Sequence, residues 1–123
     1  MKRFIALLLV VVIAATALNL VAIAGSDYEQ DFFQGYLWIA QLNVTSQRSY
    51  AHFSWQGTTQ ISCKLETDFV DASGYWVSSI ANTDFDTGSA SVTHTPDIGY
   101  YIDKSWGTYK IGSNTVYYTS ATP

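Results

Sequence analysis

The sequence predicts an all-β protein: a single antiparallel β-sandwich of about six to eight short strands, preceded by an N-terminal signal-peptide helix. Three observations support this. Apolar and polar residues alternate with a period of two, most clearly over residues 59–70, as in strands with one buried face. Turn-forming residues separate these segments. No segment beyond the N-terminus shows an apolar period of 3.6 residues, so we expect almost no helix there.

The first 24 residues predict a secretory signal peptide. Lys2 and Arg3 precede an apolar run, and Ala22-Ile23-Ala24 places small residues where signal peptidase recognises them. We expect cleavage there and secretion of the remaining chain, and the Lys-Arg start is typical of a bacterial signal. The alternative is an uncleaved anchor, in which residues 4–24 span the membrane and hold the domain on its outer side.

Beyond the signal, we expect a flexible acidic leader over residues 25–34 and a β-sandwich domain over residues 35–123. Gln56-Gly57 is expected to form a tight turn that joins two successive strands. The segment 75–81 has large apolar groups on both faces, which predicts a central position. The alternation predicts strands over residues 38–45, 51–55, 59–70, 75–81, 89–95, 100–102, 106–111 and 115–120.

Charge and cysteine content limit the partners and the source of stability. After the signal, four basic residues remain against ten acidic ones, a formal charge of −6. So few cations cannot neutralise a phosphate backbone, which argues against a nucleic-acid partner. We expect membrane contact only through an uncleaved N-terminal segment. Cys63 is the single cysteine, so an aromatic core or self-association must replace disulfides.

The segment Phe85-Asp86-Thr87-Gly88-Ser89 resembles the Asp-Thr-Gly-Ser signature of aspartic proteases. This five-residue resemblance implies a catalytic role for Asp86, paired with the same residue of a second copy. However, polar residues 82–84 stand where that family has an apolar strand. We favour a β-turn in which Asp86 bonds to the backbone and Gly88 has a positive φ, and we expect that the protein is not an enzyme.

Asp84 and Asp86 are also candidate ligands for Ca²⁺, because alternating Asp residues in a loop ending in Gly form part of known calcium loops. The complete loop pattern is missing, and we expect no cofactor. His52 and His94 are predicted to be ordinary strand residues rather than metal ligands. Cys63 lies on an apolar face and is predicted to be buried.

Two pairs of adjacent tyrosines supply the candidate ligand-binding residues, namely Tyr100, Tyr101, Tyr117 and Tyr118. Adjacent residues of a strand point to opposite faces, so at least one ring of each pair should face outward. Outward rings suit stacking on sugars or contact with proteins.

These observations predict a small secreted, non-catalytic protein that acts through its surface, by binding a protein, a glycan or a cell-envelope partner. One alternative is a secreted antagonist. Lactococcin-type bacteriocins are similar in general character, being small exported β-proteins rich in Ser, Thr and aromatic residues, although no motif is shared. The other alternative is a protease acting through Asp86.

Overall fold

The computed structural model describes residues 25–123, which form two antiparallel sheets of four strands each. The first sheet has the order β1-β2-β3-β6 and the second β5-β4-β7-β8. The strands are β1 (Gly25–Phe33), β2 (Tyr36–Thr45), β3 (Arg48–Trp55), β4 (Ile61–Asp71), β5 (Trp76–Asp86), β6 (Ser89–His94), β7 (Tyr100–Ile111) and β8 (Asn114–Ala121). The all-β class and the two antiparallel sheets are confirmed.

The predicted signal helix belongs to residues 1–24 and lies outside the described residues. Within residues 25–123, no helix is long and apolar enough to cross a membrane.

The core lies between the two sheets, where the inward side chains of each meet. Phe53 of β3 packs against Tyr109 of β7 with ring centroids 5.3 Å apart. Trp38 of β2 lies 5.7 Å from Tyr117 of β8. The alternation predicted for β4 is confirmed, because its inward apolar residues are buried, namely Ile61, Cys63, Leu65 and Phe69. Burial of the aromatic rings between the sheets contributes to the apolar stabilisation of the fold.

The prediction of a flexible leader is wrong for residues 25–33. These residues form β1, which pairs with β2 over the whole length of β1. No apolar alternation marks this strand because it lies at the edge of its sheet. Three of its inward positions are carboxylates that solvent still reaches, opposite buried residues of β2: Asp27 opposite Leu42, Glu29 opposite Ala40, and Asp31 opposite Trp38.

The expected central position of residues 75–81 is also wrong. β5 pairs only with β4 and forms an edge of the second sheet. Its large apolar side chains, Trp76, Ile80 and Phe85, are exposed. β5 also continues through Asp84 to Asp86, so the turn that follows is shorter than expected. Apolar residues on both faces of a segment therefore indicate here a surface rather than a core strand.

Two connections differ from the sequence prediction. Gln56-Gly57 does not join paired strands, because β3 and β4 belong to different sheets. Residues 100–102 and 106–111 form one strand, β7, with a register shift opposite Asp68 and Phe69. Asp103 has no partner in the ladder between β4 and β7 there. This bulge lets residues 102 and 105 both face inward, which breaks the alternation visible in the sequence.

Gly107 provides a test of the packing between strands β7 and β8. A Cβ at this position would overlap the Tyr109 hydroxyl and the Thr119 side chain. Gly107→Ala should therefore lower the free energy of unfolding by about 1–3 kcal/mol, the usual cost of overpacking, as measured by urea denaturation. Ser91→Ala, at an exposed position of β6, is the control and should change it by less than about 0.5 kcal/mol. An unchanged urea midpoint for Gly107→Ala would contradict this packing.

Candidate functional site

The outer face of the second sheet carries five aromatic side chains. Alternate residues of β4, from Ser62 to Val70, lie on this face because the residues between them enter the core. Residues paired with them across the sheet share the face. We call this surface the aromatic face, and its rings are those of Trp76 and Phe85 on β5, Tyr101 and Trp106 on β7, and Tyr118 on β8.

The rings are spread along the length of β4. Trp76 and Tyr101 both pair with Val70 at one end, and Phe85 pairs with Ser62 near the other. Val70 and Ser62 are separated by about 27 Å, at 3.4 Å per strand residue. The rings of the aromatic face are therefore distributed over nearly the whole length of β4.

Two shallow depressions lie between the rings. The first has a volume of about 510 Å³ and is bordered by Phe85 and Tyr118. The second, of about 460 Å³, lies between Trp106 and Tyr118. Short hydroxyl side chains line them, including Thr108, which contributes to both. The depressions therefore offer apolar ring surface and hydrogen-bonding groups side by side.

The aromatic face also holds the three lysines of residues 25–123, Lys64, Lys104 and Lys110. The Lys104 ammonium lies 5.2 Å from the centroid of the Trp106 ring, a cation–π distance. Lys64 Nζ lies 3.5 Å from a Glu66 carboxylate oxygen. Both partners of that pair are nearly half exposed, so solvent screens it strongly.

The four tyrosines predicted as ligand-binding residues do not form one surface. Tyr101 and Tyr118 both lie on the aromatic face, toward opposite ends. Tyr100 instead lines a separate cleft of about 610 Å³ beside β5. Tyr117 turns inward and donates a hydrogen bond to Asp27 Oδ1 at 3.4 Å. Burial, followed by the nearby Asp27 carboxylate, raises the pKa of the Tyr117 hydroxyl.

Sequence analysis missed the other rings of the aromatic face, which are Trp76, Phe85 and Trp106. One signal was present in the sequence: Lys104, Trp106, Thr108 and Lys110 alternate with inward residues of the same strand. This period places a tryptophan on the polar side of a strand, which marks it as a candidate contact residue.

Asp84 and Asp86 lie two residues apart on β5 and share one face of this edge strand. Asp84 accepts a hydrogen bond from the Ser91 backbone amide at 3.1 Å. Asp86 accepts one from the Thr87 amide at 2.7 Å, and Gly88 has a φ of 90°. The predicted turn roles of Asp86 and Gly88 are confirmed. Within residues 25–123, no group of three or more His, Cys, Asp or Glu residues is arranged to hold a metal ion, and the calcium assignment stays a prediction.

A chain of hydrogen bonds runs through the core from one sheet to the other. Its members are Ser49, Ser105, Thr67, His94 and Asn82, joined in that order by contacts of 2.7, 2.9, 2.8 and 2.7 Å. A hydroxyl beside an imidazole that an amide orients is also the order of groups in nucleophilic catalysis. Thr67 is fully buried, however, so its oxygen is closed to a substrate and the chain is structural.

The hydrogen-bond chain favours neutral His94. Burial lowers the pKa of this imidazole. When Nε2–H donates to the Asn82 side-chain oxygen, Nδ1 accepts from Thr67, and each hydroxyl before it donates to the next, an assignment that follows from the network. Protonation of Nδ1 would reverse these bonds and remove the acceptor of the buried Ser49 hydroxyl. The folded protein therefore opposes protonation of His94.

No protein-family model matches this chain, no curated protein matches it, and no solved structure matches it. The fold and the aromatic face define a two-sheet β-protein with rings, hydroxyl groups and lysines displayed on one exposed surface. A function of this surface would depend on these rings, hydroxyl groups and lysines.

We expect stability to fall on acidification because of His94. Its pKa in the folded state lies below the ordinary value of 6.5, so the unfolded chain takes up the proton first. The contribution of neutral His94 is complete above pH 6.5 and is lost as the pH falls toward the folded-state pKa. His94→Gln should flatten this dependence between pH 5 and 7.5, and lower the free energy of unfolding at pH 7.5 by about 1–3 kcal/mol.

Urea unfolding at steps of pH provides the measurement. Burial also lowers the pKa of His52, which lies on the outer face of the first sheet and contacts the Tyr50 hydroxyl at 3.3 Å. His52→Gln is therefore the matched control. It should remove only the part of the pH dependence that comes from His52, and it should lower the free energy of unfolding at pH 7.5 by less than His94→Gln does. A His94→Gln protein that keeps the full dependence of the unmodified protein would contradict the role of this imidazole.

Proposed function

We propose that this protein is a secreted, non-catalytic glycan-binding protein that holds an extended carbohydrate chain on its aromatic face. The observation that carries the proposal is the set of outward-facing rings on β5, β7 and β8, distributed over about 27 Å of one sheet with short hydroxyl side chains between them. The N-terminal sequence, with its predicted signal peptide, supports secretion.

Carbohydrates match this surface because a sugar ring has both apolar C–H faces and hydroxyl groups around its edge. Trp106 and Tyr118 border one depression and offer stacking surfaces for the C–H faces. Thr108 and Thr119 line the same depression, and Thr108 faces outward with a hydroxyl that can donate and accept. A linear glycan can therefore repeat the same pair of contacts along the sheet.

A protein partner fits the aromatic face less well. The centre of a protein interface is usually a contiguous apolar area from which charged residues are depleted. On the aromatic face, Lys64, Glu66 and Asp68 occupy the central strand between the rings. Charged and hydroxyl groups at the centre favour a ligand that is itself rich in hydroxyl groups.

The carboxylates of this face support binding rather than hydrolysis of the glycan. Glycoside hydrolysis needs one carboxyl group on each side of the scissile bond. Glu66 and Asp68 instead lie side by side on β4. Glu66 pairs with Lys64 and Asp68 accepts a hydrogen bond from the Ser79 hydroxyl. Both carboxylates lie on the outer face of β4 and can accept hydrogen bonds from sugar hydroxyl groups.

Trp106→Ala should weaken binding to a recognised polysaccharide by about tenfold, the scale of one lost stacking contact. A panel of neutral and acidic soluble polysaccharides, screened by affinity electrophoresis, identifies the ligand. Titration with tryptophan fluorescence then gives the affinity, because Trp76 and Trp106 lie on the aromatic face while Trp38 and Trp55 are buried. Trp76→Ala should weaken binding in the same direction.

The control is Phe32→Ala, which removes a ring that is 67% exposed on the outer face of the first sheet. This variant should bind like the unmodified protein. Equal losses in Phe32→Ala and Trp106→Ala, or no binding to any member of the panel, would overturn the proposed function.

A further inference from the structure

We infer that the end of the aromatic face between Phe85 and Tyr118 takes an acidic sugar, a uronic acid whose carboxylate lies between Lys64 and Lys110. This inference rests on the proposed glycan binding and adds the chemical class of the glycan. Its basis is the unequal distribution of charge over the described residues.

The depression of about 510 Å³ at this end is lined by both lysines and both rings. Of the described residues that line it, none is acidic. Its remaining side chains are mostly small and polar, and include Ser62, Thr83 and Thr108. The depression thus combines two cations, two stacking surfaces and several hydroxyl groups, which are the contacts needed for the carboxylate, the ring and the hydroxyl groups of a uronic acid.

The two lysines are placed to act on the same carboxylate. Lys64 pairs with Thr108 across the ladder and Lys110 pairs with Ser62, so the lysines are diagonal neighbours on adjacent strands, about 7–8 Å apart at the backbone. Lysine stems are flexible enough to bring both ammonium groups to one anion. Lys110 is exposed, and among residues 25–123 no carboxylate lies within ion-pair distance of it.

The rest of the domain repels an anionic ligand. Residues 25–123 carry four basic and ten acidic side chains, yet three of the four basic ones are on the aromatic face. The inward edge of β1 carries Asp27, Glu29 and Asp31. An acidic glycan is therefore steered toward the one face that holds the lysines.

The aromatic face also disfavours ligands with a high density of negative charge. Asp68, with Glu66, lines the adjoining depression beside Trp106. These carboxylates would repel a second anionic group close to the first, while they can accept hydrogen bonds from neutral sugars. This favours a polysaccharide with one carboxylate per sugar unit or fewer over densely sulfated or phosphorylated polymers.

The experiment compares acidic and neutral oligosaccharides of equal length on the purified protein. Hexamers of galacturonate, of mannuronate and of the repeating unit of hyaluronan are titrated beside their carboxyl-reduced forms, with tryptophan fluorescence as the signal. At least one uronate hexamer should bind about tenfold more tightly than its reduced form. This preference should shrink as NaCl is raised, because salt screens exposed charges.

The variants assign this preference to the two lysines. Lys64→Gln combined with Lys110→Gln should remove the preference, so that this variant binds the uronate hexamer and its reduced form with equal affinity. Arg48→Gln is the matched control, because it removes the remaining cation of residues 25–123 from β3 in the first sheet. It should leave both affinities unchanged.

Three results would overturn the inference, and they differ in what they mean for the proposed function. Equal affinity for acidic and reduced hexamers removes the uronate preference but keeps glycan binding. Tighter binding of heparin or polyphosphate than of every uronate hexamer identifies a general anion site instead. If no hexamer of either kind binds, the inference fails, and the polysaccharide panel then decides the proposed function separately.

Discussion

Tyr109 joins the two sheets, and the geometry of the aromatic face depends on this contact. Its ring packs on Phe53 across the core, and its hydroxyl donates to the Gln41 carbonyl oxygen of the opposite sheet at 3.0 Å. Burial raises the pKa of the phenol well above its ordinary value, so it remains a donor at any physiological pH. Because residues alternate along β7, an inward Tyr109 fixes Thr108 and Lys110 on the outer side.

Two of the four edge strands, β1 and β5, protect their sheet edges in the same way. Each has carboxylates on the side that faces inward, Asp27 and Glu29 on β1 and Asp84 and Asp86 on β5. A charge in this position must stay hydrated, so it opposes the addition of another strand at that edge. The acidic residues that suggest a loose leader and a calcium loop in the sequence therefore have a simpler structural explanation as protection of sheet edges.

Sequence reasoning succeeds where burial is local and regular. β4 alternates from Cys63 to Val70, and its buried face is readable without any partner. It fails for β1 and β5, where edge exposure removes the apolar face, and for β7, where the bulge at Asp103 shifts the alternation. The aromatic face could not be predicted from the sequence for a further reason. Its residues come together only through the register of strands far apart in sequence, as in the pairing of Ser62 with Lys110.

Cys63 gives the fold a chemical property that follows from its position. Its side chain is fully buried, and burial, together with the Asp84 carboxylate, raises the pKa of the thiol to about 12. The thiolate is the species that attacks disulfides and oxidants, and the folded protein holds almost none of it at neutral pH. Only a chain that has opened exposes a reactive sulfur. In oxidising surroundings, disulfide-linked dimers would thus form only from misfolded molecules. Native molecules would form no intermolecular disulfide.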